Sequence, residues 1–340
     1  MKYVTLPDAD PRRGVPFYLA MEEVVARRYA AGTDSDFFFM WQVAPSVICG
    51  RHQWIDTEVD LDYCAANNIM VRRRRSGGGA VFADLSNIMF SYVTPGDEVV
   101  TTFGRYTSMV AAFLRSLGLD SSATTRNDIM IGDRKVSGSA FYHVAGASIA
   151  HGTMLYDTDP THMSKALTPS RAKLESKGVK SVTSRITTIR SHRPDLSIEE
   201  FMRLARMSMC GDEELRLTQD DVDEIRRIEA TYLDPAWIAP RRAHGAGLRR
   251  QRVEGVGEFA ADVVMAPGGD VIAGVTLSGD FFETADTVPL LARLEGVRAD
   301  RDAIIAALGD TAGVIPGMTP ETLAEIILAG IKQDNSSHLK

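Results

Sequence analysis

Arg72-Arg73-Arg74-Arg75-Ser76-Gly77-Gly78-Gly79-Ala80-Val81-Phe82 is the stretch of this 340-residue chain on which the reading turns. Three consecutive glycines permit positive φ, so their N–H groups can converge into a concave anion nest. Guanidinium groups just upstream can clamp phosphate or carboxylate oxygens in bidentate fashion. An apolar strand on either side holds such a loop at a sheet edge. The plainer alternative is a glycine-rich hairpin turn beside a solvated basic run. No Gly-Lys-Ser/Thr follows and the Gly-x-Gly-x-x-Gly pattern is absent, so this is neither a Walker loop nor a dinucleotide fingerprint.

Outward from this loop, short apolar runs predominate. Phe37–Trp41 and Ser46–Cys49 read as buried strands joined by a turn at Ala44-Pro45, and Asn87–Val93 as another strand. Asp128–Ile131, a Gly132-Asp133 turn and Lys135-Val136 form a hairpin pattern. Ser148–Ala150 and Thr153–Leu155 flank His151-Gly152. Helical spacing appears over Pro16–Ala31, Thr101–Leu117, Ser197–Met209 and Thr218–Tyr232. Hairpins with interspersed helices, rather than strict β-α alternation, predict an α/β (α+β) fold. Its sheet is mixed and largely antiparallel, with covering helices. Pro235–Gly247 has the composition of a linker. Beyond it, Val256–Met265 and Val271–Ser278 read as strands around a Pro-Gly-Gly-Asp turn, followed by helices near Val288–Glu295, Arg301–Leu308 and Pro320–Ile331. The expected domains are 1–240 and 250–340.

Composition bounds the function classes. With 44% hydrophobic and 24% charged residues the chain is an ordinary globular one. A net charge of −7 and a pI near 5.6 disfavour a general nucleic-acid or anionic-membrane binder. Lys165–Arg193 runs against that balance, with eight Lys or Arg and one acid. It lacks the interleaved aromatics of a base-stacking surface, so it reads as a lid, a docking rim or a solvated loop. No signal-peptide pattern opens the chain and no run approaches the ~18 apolar residues of a membrane span, so a cytoplasmic protein is expected. The three cysteines, Cys49, Cys64 and Cys210, form no C-x-x-C pair and read as reduced thiols.

Two further segments carry chemistry. Asn127-Asp128 precedes Lys135-Val136-Ser137-Gly138-Ser139-Ala140, a lysine on a strand followed by small residues that leave room for a ligand against the backbone. Such a lysine can stabilise negative charge during acyl-phosphate chemistry. His151, in Ala150-His151-Gly152-Thr153, is as a bare pattern more often a satisfied structural residue than a catalyst.

Taken in order, these segments resemble the lipoate–protein ligase family, in its long form with a C-terminal accessory domain. Arg73, Arg74, Ser76, Gly77, Gly78, Gly79, Ala80 and Val81 match its R-R-x-S-G-G-G-A-V block. Asn127, Asp128 and Lys135–Ala140 match the N-D and K-[IV]-S-G-S-A block, and His151–Leu155 the H-G-T-[LM]-L block. Lys177–Val182 with Ser184-Arg185 match K-G-[IV]-x-S-V-x-S-R. Gly279-Asp280-Phe281-Phe282 and Gly296-Val297-Arg298 are similar to the accessory domain. Two blocks depart from the pattern: Ala83 stands for a histidine after the glycines, and Trp237-Ile238-Ala239-Pro240 replaces a Trp-x-x-Gly, placing Trp237 in the linker.

The resemblance implies a biotin/lipoyl-ligase-like catalytic domain that activates lipoate with ATP and Mg²⁺ to lipoyl-AMP. The lipoyl group then passes to a lysine of an acceptor domain, of the 2-oxoacid dehydrogenase or glycine-cleavage H type. It makes Lys135 and Arg74 the catalytic pair, Arg74 holding the carboxyl or phosphate and Lys135 bridging carboxyl and α-phosphate. The nucleotide falls to Arg74, Gly77, Gly78, Gly79, Ala80, Val81, Phe82, Asn127, Asp128 and Lys135. Lipoate falls to Arg74, Lys135, Ser137, Gly138, Ala140 and His151, with Gly138 and Ala140 leaving an apolar slot. Carrier-dependent octanoyl or lipoyl transferases share the fold but need an exposed cysteine near the lysine, where this chain has Ser122-Ala123-Thr124-Thr125. Biotin ligases carry a different arginine-glycine loop. A non-catalytic lipoate binder would have no use for both Arg74 and Lys135.

Overall fold

Alternation along the strands of the main sheet sorts side chains into one core on each of its faces. The computed structural model describes residues 1–96, 99–124, 127–168, 185–239 and 248–337. They fall into two compact units. The larger comprises Met1–Cys49, Ile55–Arg75 and Ala80–Ile238; the smaller comprises Gly50–Trp54, Ser76–Gly79 and the chain from Ala239 on.

The larger unit opens with β1 (Lys2–Thr5) and α1 (Val15–Val25), which runs on as a π-helical turn over Ala26–Ala30. Next come β2 (Phe37–Trp41), β3 (Ser46–Cys49), α2 (Ile55–Glu58), α3 (Leu61–Ala66), β4 (Met70–Arg73), β5 (Val81–Ala83) and β6 (Asn87–Pro95). The centre holds α4 (Val99–Ser116), β7 (Ser121–Ala123), β8 (Asp128–Ile131), β9 (Arg134–Val144) and β10 (Ala147–Leu155). The remainder is α5 (Pro160–Ala166), α6 (Ile189–His192), α7 (Ile198–Cys210), β11 (Glu214–Arg216), α8 (Gln219–Leu233) and α9 (Pro235–Ile238).

Eight strands make one sheet in the order β11-β1-β2-β6-β10-β9-β8-β7, parallel at β11-β1-β2 and antiparallel from there on. Phe37, Phe39 and Trp41 of β2 enter a core with α1 and α8, whereas Phe38 and Met40 enter one with α4 and α7. Both faces of the sheet are therefore covered, and β10 is buried along its whole length. Each fully buried aromatic or aliphatic side chain contributes roughly 1.5–3 kcal/mol.

The turn at Ala44-Pro45 does not join paired strands. β3 leaves the large sheet for a second one of order β4-β3-β5, parallel to β4 and antiparallel to β5. Pro235–Ile238, expected as linker, forms the helical turn α9. The rest of that stretch, 240–247, lies outside the described residues, as do 169–184 of the basic segment and the Lys177–Val182 block.

The smaller unit is an antiparallel sheet of β12 (Gln251–Val253), β13 (Gly257–Met265) and β14 (Ile272–Phe281). It is followed by α10 (Thr287–Ala292), α11 (Arg301–Leu308) and α12 (Pro320–Ser337), around a core of Phe259, Phe281, Leu290, Leu308 and Ile327.

Candidate active site

A β-bulge sets the candidate lysine. Register pairs Ile129↔Ser137 and Met130↔Lys135 leave Val136 as one extra residue on β9. In a regular strand, positions three apart face opposite sides. The extra residue cancels that offset and brings Lys135 and Gly138 to the same face. The Lys135 side chain lies back over Gly138, where an added Cβ would stand 2.8 Å from Cε and closer still to Nζ. Only glycine leaves that path open.

Lys135 Nζ is 2.7 Å from Asp128 Oδ1, and Arg185 pairs with Asp128 Oδ2. Asp128 is buried and shared by two cations, a geometry that restrains all three side chains. The return segment adds backbone ties. Thr187 N–H donates to the Lys135 carbonyl at 2.8 Å, and Ile186 bridges Lys135 in parallel. Asn127 accepts Ser139 N–H at 2.8 Å and donates its amide to the Ser139 carbonyl at 3.3 Å. Asn127, Asp128, Lys135 and Gly138 thus form one constellation. Ala140 and His151 pair across β9 and β10 and share the Gly138 face, whereas Ser137 lies on the opposite face.

His151 belongs to a buried network around Glu22 of α1. Both Glu22 oxygens lie 2.9 Å from His151 Nδ1, a contact that fixes the ring. Ser91 Oγ donates to Glu22 at 2.5 Å and itself accepts Trp41 Nε1–H at 2.9 Å. Tyr142 donates to Glu22 at 3.3 Å; burial and then the neighbouring Tyr232 and carboxylates push its phenol well above the usual range. Glu22 is 0% and Glu23 1% exposed, a cost met only with such partners. Neither glutamate nor Arg185 is among the residues expected to form the site. The available signals are the pair Glu22-Glu23 inside an otherwise apolar helical repeat and, for Arg185, the Ser184-Arg185 that closes the matched K-G-[IV]-x-S-V-x-S-R block.

Arg74 lies just past β4. Its backbone N–H donates to the Cys49 carbonyl at 3.0 Å, and Nη1 donates to the Ile48 carbonyl at 2.9 Å, with the side chain buried. Ala80, Val81 and Phe82 lead into β5 in the same unit, where Phe82 lies parallel to His162 at 6.3 Å.

Ser76–Gly79 cluster with the smaller unit instead. Gly78, at φ 85°, donates its N–H to the Phe281 carbonyl at 2.7 Å, and a Cβ on Gly77 would collide with that same carbonyl. The Ser76 carbonyl accepts Arg51 N–H at 2.9 Å. His52 stacks on Phe281 at 4.4 Å and meets Glu283 at 2.8 Å.

All three cysteines are buried free thiols. Burial raises Cys49 to about 12 despite the nearby Arg73 and Arg74, and raises Cys210 to about 12 as well. Among the described residues no group of three or more His, Cys, Asp or Glu side chains could hold a metal ion, and no helix is long and apolar enough to cross a membrane.

A profile described as the lipoyl protein ligase A/B catalytic domain matches residues 15–208, and one described as the bacterial lipoate protein ligase C-terminus matches 249–327. Lipoate–protein ligase 1 of Staphylococcus aureus is 34% identical over 299 residues, covering 86% of this chain and 89% of the relative. Among solved structures, the archaeal bipartite lipoate protein ligase of Thermoplasma acidophilum, studied with its E2 lipoyl domain, superposes with a TM-score of 0.62. It is 28% identical, over 72% of this chain and 98% of that one. A lipoate-protein ligase A bound with ATP gives a TM-score of 0.58 at 27% identity, over 70% of this chain and 98% of that one. These neighbours have the biotin/lipoate ligase fold, in line with the mixed, largely antiparallel sheet seen here. With the catalytic-domain profile spanning more than half of its length and that staphylococcal relative matching most of both sequences, the chain belongs to the lipoyl protein ligase A/B family.

Proposed function

We infer that the protein is an ATP-dependent lipoate–protein ligase, and that Lys135 and Arg74 carry its first step. A lipoate carboxylate oxygen attacks the α-phosphorus of ATP. The new C(O)–O–P bond makes lipoyl-AMP as the bond to pyrophosphate breaks. The amine of an acceptor lysine then attacks the carbonyl of the mixed anhydride, forming an amide and releasing AMP with loss of the amine proton.

Both steps gather negative oxygens, so fixed cations are the principal requirement. The single observation that carries the reading is the Lys135 ammonium held 2.7 Å from Asp128 over a glycine kept bare for it. An ammonium restrained in this way is oriented before substrate arrives. Arg74 supplies the planar guanidinium suited to a carboxylate or phosphate. Ala140, on the same face as Gly138, adds apolar surface for the acyl tail, while His151, tied to Glu22, forms its fixed wall. Ala80–Phe82, in the same unit as Lys135 and Arg74, are assigned to the nucleotide, while the Gly78 N–H is already given to the Phe281 carbonyl. Both Asp128 oxygens are already engaged by Lys135 and Arg185, and no cluster of metal-binding side chains occurs among the described residues, so Mg²⁺ is expected to arrive with the nucleotide phosphates. When bound, it offsets phosphate charge.

The acceptor is a lipoyl domain of the 2-oxoacid dehydrogenase or glycine-cleavage H type. The archaeal ligase described with its E2 lipoyl domain supports the first of these. Free, unpaired thiols fit a reducing compartment, and we place the protein in the cytoplasm. The carrier-dependent transferase reading needs a thiolate, which burial denies to Cys49 and Cys210.

Lipoate-dependent exchange of labelled pyrophosphate into ATP, with no acceptor present, tests the reading. Exchange by the wild type, abolished in Arg74→Ala and in Lys135→Ala with the fold intact, is expected. Lack of exchange by folded, lipoate-binding wild type would sink it.

A further inference from the structure

The four arginines before the glycines are read in the sequence as one cationic run, and Trp237 as part of a linker. The structure separates the arginines and brings Trp237 among them. Among the described residues β4 pairs only with β3, at the edge of its sheet, and its ladder ends at Arg73↔Cys49. One further backbone bond, from Arg74 N–H to Cys49, carries the chain past that end. On the side away from β3, the Arg73 carbonyl accepts the indole Nε1–H of Trp237 at 3.2 Å. The exchange is reciprocal, since Arg73 Nε donates to the Ile238 carbonyl at 3.0 Å. α9 therefore stands in for a missing neighbouring strand.

Arg75 is fixed from the same direction. Its Nε lies 2.8 Å from Glu23 Oε1, and its guanidinium carbon is 5.3 Å from the Tyr232 ring centroid and 5.7 Å from that of Trp237. Tyr232 donates to the same Glu23 oxygen at 2.6 Å, and the Tyr232 and Trp237 rings meet edge-to-face. Burial alone would weaken the charge of Arg75, but Tyr232 and Glu23 outweigh it and its pKa is raised. The Arg73 carbonyl and the Arg74 N–H belong to one peptide unit, held by Trp237 at one end and by the Cys49 carbonyl at the other. Arg75 beyond it is tied to Glu23, so the backbone that carries Arg74 and its Nη1 donation to the Ile48 carbonyl is fixed from both neighbours.

We propose that Trp237, Arg75 and Glu23 are positioning residues for Arg74. In this view the last turn of the larger unit clamps the two flanking arginines, and the clamp fixes the direction of the guanidinium that meets substrate. The proposal rests on the role given to Arg74 above. It assigns the clamp no contact with lipoate or nucleotide.

Trp237→Phe tests it, because it keeps a ring beside Arg75 and removes only the N–H to Arg73. The measurements are kcat/KM for lipoate in pyrophosphate exchange and the thermal midpoint, in the wild-type and Arg74→Lys backgrounds. Trp237→Phe is expected to lower kcat/KM by about tenfold in the wild type, the order lost when one hydrogen bond that orients a reacting group is removed. It should lower it by less than twofold when Arg74 is already Lys, while shifting the thermal midpoint equally in both. Arg75→Lys should behave in the same way. An equal fractional loss of exchange in both backgrounds, or no loss in the wild type, would overturn the clamp. Wild-type exchange by Arg74→Lys itself would instead overturn the role of Arg74, and the clamp with it.

Discussion

Gly138→Ala puts the bulge argument at risk with a single methyl group. The added Cβ would stand 2.8 Å from Lys135 Cε, whereas ordinary contacts begin near 3.4 Å. Nζ, nearer still, must retreat by roughly 1 Å, since real Cβ atoms do not approach so closely. That movement lengthens or breaks the 2.7 Å pair with Asp128. A displacement of about 1 Å in a reacting group can cost ~10²-fold, or about 2.7 kcal/mol of barrier. Stability should change little, because the atoms displaced are the end of a flexible side chain, and Ala lowers unfolded-chain entropy by up to ~1 kcal/mol. The assay is lipoate-dependent pyrophosphate exchange beside guanidinium melts. Expected is a loss of about a hundredfold with the unfolding midpoint nearly unmoved. Exchange within threefold of wild type, alongside an inactive Lys135→Ala, would refute the reasoning that Gly138 is bare on behalf of Lys135.

Acid stability provides a second test, remote from the chemistry. Burial alone would raise the Asp221 pKa, but hydrogen bonds from Tyr29, Thr218 and Arg28 outweigh it and hold it at about 2, against 3.8 ordinarily. A depressed carboxylate contributes stability above its unfolded pKa, and that stability is lost as pH falls through its folded one. Asp221 should therefore contribute about 2 kcal/mol at pH 7, fading between about pH 4 and 2. Urea melts across that range should show Asp221→Asn less stable at neutral pH with the gap closing in acid; a gap independent of pH would refute the assignment. Thiol chemistry supplies a third. With burial raising Cys49 and Cys210 to about 12, the folded protein should resist alkylation at pH 8, and the triple Cys→Ser variant should retain exchange activity. An essential cysteine would restore the thioester route.

Legibility followed the range of the forces involved. Period-two and 3.6-residue patterns reflect burial that each residue reports for itself, so Phe37–Trp41 as a strand and the α4 and α8 helices were readable. Sheet membership was not. Nothing between Trp41 and Ser46 marks that the chain changes sheets there, because the choice depends on partners at Met70–Arg73 and Val81–Ala83. The bulge at Val136 was equally hidden. It needs one residue fewer on β8, so it belongs to a pair of strands rather than to either sequence. Without it Lys135 and Gly138 would face apart, and the glycine reads as a slot for ligand. With it, the space over Gly138 is occupied by the lysine.

The arginines show the same limit from the side of charge. Arg73, Arg74 and Arg75 are chemically alike and adjacent, so no composition argument separates them. What separates them is the partner each one meets. Arg75 meets Glu23, Tyr232 and Trp237, a carboxylate and two rings that can hold a guanidinium at the edge of a core. Arg74 donates to the Ile48 carbonyl. A buried carboxylate such as Glu23, 1% exposed, is tolerable only with cations and hydroxyls upon it, and Arg75, Arg27 and Tyr232 provide them. Arg75 is thereby committed to structure, as Arg73 is through the Ile238 carbonyl, and that commitment lets the middle one hold a direction. A run of four like charges is thus better read by asking which of them a buried acid requires.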